Sequence, residues 1–343
     1  MTSDAAMTSR ELALAAINHK QPPRLPWTLY LAKPLAQKIE LAWGPRGQWP
    51  CPADDLIRIL WEVEASDVTD TGFRDLFGCP WRREQGGYVF VDPPLAEPDA
   101  SQIPLIDLVP AKDVQRVLDA RKARPDAFIF YQFTACFGER LWSLRGFEQT
   151  LMDYLAEPAF VHAALDVLTK MHLDALDKLL ALPIDGVTFG DDFGSQRGLM
   201  ISRQVFREFY KPRYTLLYDK VRSAGKVVGH HSCGDNTDLM ADFVEMGLQV
   251  FHPLQPEAMD IRRVKREFGR HLTFRGGIGT QGPIVFGTPE QARAEVREAA
   301  RVLARGGGYL LETAKPLPEE TPVENAMAVI DEMTRVMKYE FGS

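Results

Sequence analysis

Short apolar runs alternate with amphipathic stretches along the chain, from about residue 125 to the C-terminus. Apolar runs followed by polar or glycine-rich residues are typical of buried strands, and the stretches between them have the periodicity of helices. The pattern therefore predicts repeated βα units around a parallel sheet. The predicted strands lie at 127–131, 186–189, 226–229, 249–251, 271–274 and 308–311.

Two further apolar runs, at 26–30 and 65–69, bring the predicted strands to about eight. Eight parallel strands that alternate with helices form a (β/α)8 TIM barrel, so we predict an α/β fold with a single barrel domain over 1–343. Thr8 and Glu11 have the spacing of a capping box, which predicts a helical extension before the barrel. The glycine- and proline-rich region 80–110 predicts an inserted hairpin, with one strand at 88–91.

Composition narrows the class of protein. The chain is 45% hydrophobic and 25% charged, with a net charge of −7, which argues against a nucleic-acid partner. An uninterrupted apolar stretch of about eighteen residues is missing, which argues against a membrane span. Because the four cysteines form no C-x-x-C pair or disulfide-rich pattern, we expect a reducing, cytoplasmic setting.

Reactive side chains follow many of the predicted strands. In a TIM barrel the catalytic groups come from the carboxyl ends of the strands, so these residues are expected to converge on one site. Carboxylates, imidazoles and a thiol are the groups that acid–base or metal chemistry requires. The candidates are Asp70, Asp191 and Asp192, His231 and Cys233, Gln255 and Glu312.

His231 and Cys233 are separated by one residue. In an extended segment, residues two apart point the same way, so the pair can offer a nitrogen and a thiolate to one zinc ion. Spacing alone also allows a second interpretation, in which His231 is a hydrogen-bonded histidine at a strand end and Cys233 is a small buried apolar residue. Two ligands are too few to define a zinc site.

Asp191 and Asp192 begin a polar loop that continues through Gln196 and Arg197. This loop is a candidate for acid–base chemistry or for orienting a polar substrate, and the alternative is a helix N-cap with a salt bridge. Asp70 is a third candidate acid, or a loop-capping aspartate. Trp27, Tyr30 and Phe133 either contact the substrate or belong to the core, and we expect Gln196 and Gln255 to bind the substrate.

Several blocks of the chain resemble the uroporphyrinogen decarboxylase superfamily, in particular its corrinoid-dependent methyltransferase branch. Residues 191–198 are similar to the family's D-D-x-G-x-Q-x-G block, and residues 231–234 are similar to its H-x-C-G block. Further similarities lie at 253–256, 276–278 and 306–309. The order of the blocks implies a single (β/α)8 barrel.

The resemblance also bears on the chemistry. Decarboxylases of the superfamily carry an M-R-Q-A-G-R motif after the first strand, whereas residues 27–33 read Trp-Thr-Leu-Tyr-Leu-Ala-Lys. The methyltransferases bind zinc through H-x-C and a distant cysteine near the last strand, which implies His231 and Cys233 as two ligands. Ala314 or Lys315 stands where that cysteine would fall, so we expect Glu312 to provide the third ligand.

The resemblance implies a zinc-dependent methyltransferase that acts in O-demethylation. It would move a methyl group from a small O-methylated substrate, of which aromatic ethers are one class, to the Co(I) corrinoid (cobalamin) of a separate partner protein. A homodimer is also implied. Two alternatives remain: a metal-independent, decarboxylase-like lyase that uses the aspartates, and a non-catalytic protein that binds a tetrapyrrole or corrinoid.

Overall fold

The computed structural model describes residues 7–61, 66–84 and 87–338. The strands are β1 (Leu56–Leu60), β2 (Ser66–Thr69), β3 (Gly72–Arg74), β4 (Pro80–Glu84), β5 (Gly87–Phe90), β6 (Phe128–Phe133), β7 (Gly186–Gly190), β8 (Gly194–Ser195), β9 (Gly198–Leu199), β10 (Val227–His231), β11 (Val250–Leu254), β12 (Thr273–Ile278) and β13 (Tyr309–Thr313). Seven of them form one parallel sheet in the order β1-β6-β7-β10-β11-β12-β13. The six strands predicted after residue 125 are therefore confirmed.

The predicted strand at 26–30 is present only as isolated bridges. Trp27 pairs with Leu311 of β13, Leu31 pairs with Leu317, and the amide of Asp55 donates to the carbonyl of Trp27 at 2.9 Å. The segment thus lies between β13 and the start of β1. The fold is α/β, with a curled parallel sheet of seven regular strands among the described residues, similar to a TIM barrel.

The predicted barrel strand at 65–69 is wrong. Residue 65 lies outside the described residues, and β2 belongs to a separate antiparallel sheet in the order β2-β3-β4-β5. The barrel strand in this region is β1, in which Arg58 interrupts the apolar pattern. The predicted hairpin is the β4–β5 pair, and the inserted sheet begins earlier than expected, at residue 66.

Helices surround the parallel sheet. They are α1 (Ser9–Ile17), α2 (Lys33–Trp43), α3 (Ala111–Ala123), α4 (Gly138–Arg145), α5 (Phe147–Ala156), α6 (Pro158–Leu179), α7 (Arg203–Val205), α8 (Lys211–Ser223), α9 (Met240–Glu245), α10 (Ile261–Phe268), α11 (Pro283–Phe286), α12 (Pro289–Leu303) and α13 (Val323–Val336). One π-helical turn, Phe206–Tyr210, precedes α8. Within the described part of the chain, no helix combines the length and apolar character needed to span a bilayer.

The predicted N-terminal extension is α1, which begins with the expected capping box of Thr8 and Glu11. Its buried face contributes Ala13, Ala16 and Ile17 to a cluster with residues from the amino ends of the strands, such as Phe128 and Leu310. Helix α1 therefore closes the amino end of the sheet, and the carboxyl ends remain to form a site.

Strand alternation decides which side chains face the interior. On β6, Phe128 and Phe130 join the interior cluster under α1, so Gln132 also points inward. Phe133 points the other way, and its ring contacts those of His172 on α6 and Phe189. Phe133 therefore lies in the core between the sheet and the helices, which is the alternative that the sequence left open for this candidate substrate contact.

Candidate active site

Three predicted site residues come together at the carboxyl ends of β7 and β10. Asp192 follows β7, His231 ends β10, and Cys233 lies two residues further on. The Nε2 atom of His231 is 3.5 Å from Sγ of Cys233 and 3.9 Å from Oδ1 of Asp192. The three ligand atoms lie within 4.8 Å of one another and are partly buried. We call Asp192, His231 and Cys233 the metal cluster.

The metal cluster fits a zinc ion. Zinc in catalytic sites takes three protein ligands, commonly from histidine, cysteine and carboxylate, and keeps a fourth position open. Burial lowers the pKa of His231 to about 4, so its imidazole is neutral, as a metal ligand must be. Burial also raises the pKa of the Cys233 thiol to about 12, and the nearby Asp192 carboxylate adds to this effect.

Two crossing loops hold Cys233 in place. A Cβ atom added at Gly194 would lie 2.7 Å from the carbonyl oxygen of Cys233, so the backbones meet where only glycine fits. The amide of Cys233 donates to Oδ1 of Asp192 at 2.7 Å, which ties one ligand to another. Gln255, predicted to bind substrate, is buried and accepts a hydrogen bond from the amide of Gly234 at 3.1 Å. It therefore supports the Cys233 loop.

Asp191 lies next to the metal cluster in sequence but faces a helix. Its carboxylate is fully buried and accepts hydrogen bonds from the amides of Phe137, Gly138 and Glu139 at 2.6–3.0 Å, and from the hydroxyl of Tyr214 at 2.8 Å. Burial raises the pKa of Asp191 to about 6, while these donors oppose the shift. Asp191 thus anchors the start of α4 from a distant part of the chain, although the N-cap residue of that helix is Phe137.

A chain of polar side chains leads from the metal cluster into the sheet interior. Nδ1 of His231 is 2.8 Å from Nδ1 of His252, so one of the two atoms must carry a proton that the other accepts. Nε2 of His252 is 3.9 Å from Oε1 of Glu312. Glu312 in turn is hydrogen-bonded to the guanidinium of Arg275.

The structure places Asp192, and not Glu312, the predicted third zinc ligand, beside His231 and Cys233. Glu312 is buried against Arg275, and the metal cluster contains Asp192 in its place. Sequence spacing could not distinguish the two carboxylates, because the choice depends on the position of each strand around the sheet. In the structure His252 stands between Glu312 and His231.

A cavity of about 320 Å³ opens beside the metal cluster. This volume is at the lower end of the range for small-molecule sites. Its wall includes Phe73, Trp81, Gln132, Glu139, Arg140, Asp192 and His231. The inserted sheet thus contributes to the cavity, and the rings of Phe73 and Trp81 stack with centroids 6.0 Å apart.

The sequence interpretation did not identify the residues that join this wall to the barrel. Arg140, on α4, forms a buried ion pair of 2.6 Å with Asp75, which follows β3. Trp81 donates its indole N–H to the same carboxylate at 3.0 Å. Burial, with the nearby Asp192 and Asp191, raises the pKa of Glu139 well above its usual range. These residues are distant in sequence, so only the fold relates them.

The remaining predicted residues lie in different places. Asp70 lies in the exposed turn between β2 and β3, and Gln196 in the exposed turn between β8 and β9. Trp27 is buried in the main core. Tyr30 faces the interior, where its hydroxyl accepts a hydrogen bond from the amide of Arg58 at 3.0 Å. The structure does not bring these four residues into the cavity described above.

Comparison with known proteins identifies a family for this chain. Residues 140–336, more than half of the chain, match the model of the family described as uroporphyrinogen decarboxylase (URO-D). A curated relative, the uroporphyrinogen decarboxylase of Anaeromyxobacter dehalogenans (strain 2CP-C), is 26% identical over 249 residues, which are 69% of this chain and 67% of the relative.

A solved structure shares the fold. The methyltransferase from Methanosarcina mazei superposes with a TM-score of 0.70 at 15% identity, covering 96% of this chain and 99% of the other. At that identity the likeness concerns the fold alone. The family match covers both the Asp191–Asp192 loop and the His231–Cys233 segment. The chain therefore belongs to the uroporphyrinogen decarboxylase (URO-D) family.

Proposed function

We propose that the protein is a zinc-dependent methyltransferase that moves a methyl group from a small O-methylated substrate to the Co(I) corrinoid of a separate partner protein. The observation that carries the proposal is the metal cluster, in which a carboxylate, an imidazole and a thiol converge within 4.8 Å beside a cavity. The methyltransferase fold of the Methanosarcina mazei neighbour is compatible with this activity.

Asp192, His231 and Cys233 would hold the zinc ion, and His252 would fix the ring of His231 from behind. A bound zinc ion supplies Lewis acidity, which weakens the bond between an ether oxygen and its methyl group. A carboxylate ligand in place of a second thiolate makes the site harder, which suits an oxygen-containing substrate better than a thiol.

The chain's own side chains would orient the substrate. The stacked rings of Phe73 and Trp81 offer an apolar surface for an aromatic ring. On another wall, Gln132 is buried and its Oε1 has no hydrogen-bond partner among the described residues. A polar substrate group would satisfy that oxygen, since buried polar atoms are normally hydrogen-bonded.

The test combines metal content with methyl transfer. We expect about one zinc per chain in protein purified without chelator, and loss of zinc in Asp192→Ala, His231→Ala and Cys233→Ala. Glu312→Gln should retain zinc, which separates the two possible ligand sets. Asp70→Ala is the matched control, because Asp70 is an exposed aspartate outside the cluster. Methyl transfer is followed as the spectral change of a reduced corrinoid protein supplied with aryl methyl ethers.

The outcomes also separate the alternatives. If the protein binds no zinc even when zinc is supplied, the proposal is contradicted and the metal-independent lyase is favoured. Zinc binding with no turnover of any ether, together with tight binding of free corrinoid, would favour the non-catalytic binding protein. Asp191 already accepts four hydrogen bonds, which makes it a poor candidate for the acid or base of such a lyase.

A further inference from the structure

The side chain of Asn236 binds the backbone on both sides of Cys233. Asn236 is fully buried. Its Nδ2 atom donates to three successive carbonyl oxygens, those of Ser232 at 3.1 Å, Cys233 at 2.9 Å and Gly234 at 3.1 Å. One carboxamide group therefore fixes the direction of three consecutive peptide groups around a residue of the metal cluster.

The N–H groups of these peptides point the other way. In a planar trans peptide the carbonyl and the amide lie on opposite sides, so carbonyls that face Asn236 direct the amides away from it. The amide of Cys233 donates to Oδ1 of Asp192 at 2.7 Å, and the amide of Gly234 donates to Oε1 of Gln255 at 3.1 Å. Asn236 thereby supports the contact between the Cys233 backbone and the Asp192 carboxylate.

Ser232 links the same carboxamide to the loop that carries Asp192. Its hydroxyl donates to Oδ1 of Asn236 at 2.9 Å and accepts a hydrogen bond from the amide of Phe193, the residue after Asp192, at 2.9 Å. Ser232 is also fully buried. Both polar atoms of the Asn236 carboxamide thus have partners, which favours a single orientation of the side chain. The hydrogen bonds join the two segments that carry Asp192 and Cys233.

We propose that Asn236 is a positioning residue for the metal cluster: together with Ser232, it holds the Cys233 thiol and the Asp192 carboxylate at a zinc-binding separation before the metal binds. The inference rests on the zinc ion of the proposed function and adds residues that do not contact the metal. Groups that orient metal ligands typically change metal affinity by about 10- to 100-fold when they are removed. Without Asn236, the peptide groups around Cys233 would be free to rotate.

Zinc affinity of the full-length protein, measured by chelator competition, tests the proposal. We expect Asn236→Ala to bind zinc about 30-fold more weakly than the unaltered protein, because the Cys233 segment is no longer fixed. Ser232→Ala breaks the link to the Asp192 loop and should lose about 10-fold in affinity. Ser232→Thr keeps the hydroxyl and should stay within about threefold of the unaltered protein.

Asn325→Ala is the matched control. Asn325 is a buried asparagine on α13, outside the metal cluster, and its Nδ2 atom also donates to backbone carbonyls, those of Ile284 at 3.0 Å and Gly287 at 2.8 Å. The variant should lose stability, because buried carbonyls lose their donor, but it should bind zinc within about twofold of the unaltered protein. The comparison separates positioning of the ligands from general destabilisation.

Cobalt(II) in place of zinc provides a second readout, because its visible spectrum reports the type and geometry of the ligands. The loaded, unaltered protein should show a thiolate-to-cobalt charge-transfer band. At equal cobalt occupancy this band should be weaker in Asn236→Ala, whereas a purely structural role would leave the band of the loaded protein unchanged. If Asn236→Ala does not fold, the comparison of Ser232→Ala with Ser232→Thr decides.

Unchanged zinc affinity or an unchanged cobalt band in folded Asn236→Ala would overturn the proposal, and so would an equal loss of zinc affinity in Asn325→Ala. Its failure is distinct from failure of the proposed function. Zinc binding that depends on Asn236, in a protein that demethylates no ether, would support the positioning role and contradict the methyltransferase. Zinc-dependent turnover of ethers, with full zinc affinity in Asn236→Ala, would do the reverse. A protein that binds no zinc would contradict both.

Discussion

The buried ion pair between Asp75 and Arg140 should dominate the attachment of the inserted sheet to the barrel. Both side chains are 1% exposed and their N–O distance is 2.6 Å. Arg140 also stacks on Phe77, with its Cζ atom 4.0 Å from the ring centroid. Replacing Arg140 by methionine removes the cation and leaves the Asp75 carboxylate buried.

The expected loss of stability depends on the hydrogen bonds that Asp75 keeps in the variant. The amides of Phe77 and Cys79 and the indole of Trp81 still donate to it, at 2.9–3.0 Å, so the loss should be at the lower end of the range for a broken buried pair. Adding the lost cation–π contact, we expect Arg140→Met to lower the free energy of unfolding by about 3–4 kcal/mol.

Urea unfolding followed by circular dichroism measures this change. The double variant Asp75→Asn/Arg140→Met should lose less stability than the sum of the losses in the two single variants, because no unpaired charge remains buried. The control is Lys170→Met, whose partner Asp174 is also exposed, and it should cost no more than ~0.5 kcal/mol. A loss below about 1 kcal/mol in Arg140→Met would refute the reasoning.

Two other predictions concern the metal cluster and pH. Gly194→Ala should weaken zinc binding about 10-fold in a chelator competition, because its Cβ would lie 2.7 Å from the carbonyl oxygen of Cys233. The control is Gly47→Ala, whose Cβ would have no atom within 4 Å and which should leave zinc binding unchanged. Burial lowers the pKa of His172 to about 4, so the folded chain resists protonation there. This difference in pKa contributes about 3 kcal/mol to the free energy of unfolding above pH 6.5, and the contribution is lost as the pH falls towards 4. Between pH 6.5 and 4, the free energy of unfolding should depend less on pH in His172→Gln than in the control His162→Gln, which replaces a partly exposed histidine. Equal slopes in the two variants would contradict this prediction.

The strands after residue 125 could be predicted because both of their faces are buried, which leaves continuous apolar runs. Strand β1 could not, because the inward Arg58 breaks its run, and the stretch at 66–69 resembled a strand of the wrong sheet. Local patterns identify strands but not the sheet in which each strand pairs.

The candidate site was predictable in part for a related reason. His231 and Cys233 are two residues apart, so local geometry alone places them together. The choice between Asp192 and Glu312 depends on the order of strands around the sheet, and the direction of Phe133 depends on the register of β6.

Helix α1 seals the amino ends of the strands, where Ala13, Ala16 and Ile17 are buried against the sheet interior. In the described part of the chain the opposite rim is therefore the open one, and under the proposed function a small substrate and a large corrinoid-bearing partner would have to share that opening. A partner seated on the rim would block passage, so under the proposed function the substrate would have to be loaded first and the demethylated product would have to wait for the partner to leave. Steady-state kinetics should accordingly show compulsory order, with the corrinoid protein as the second reactant to bind.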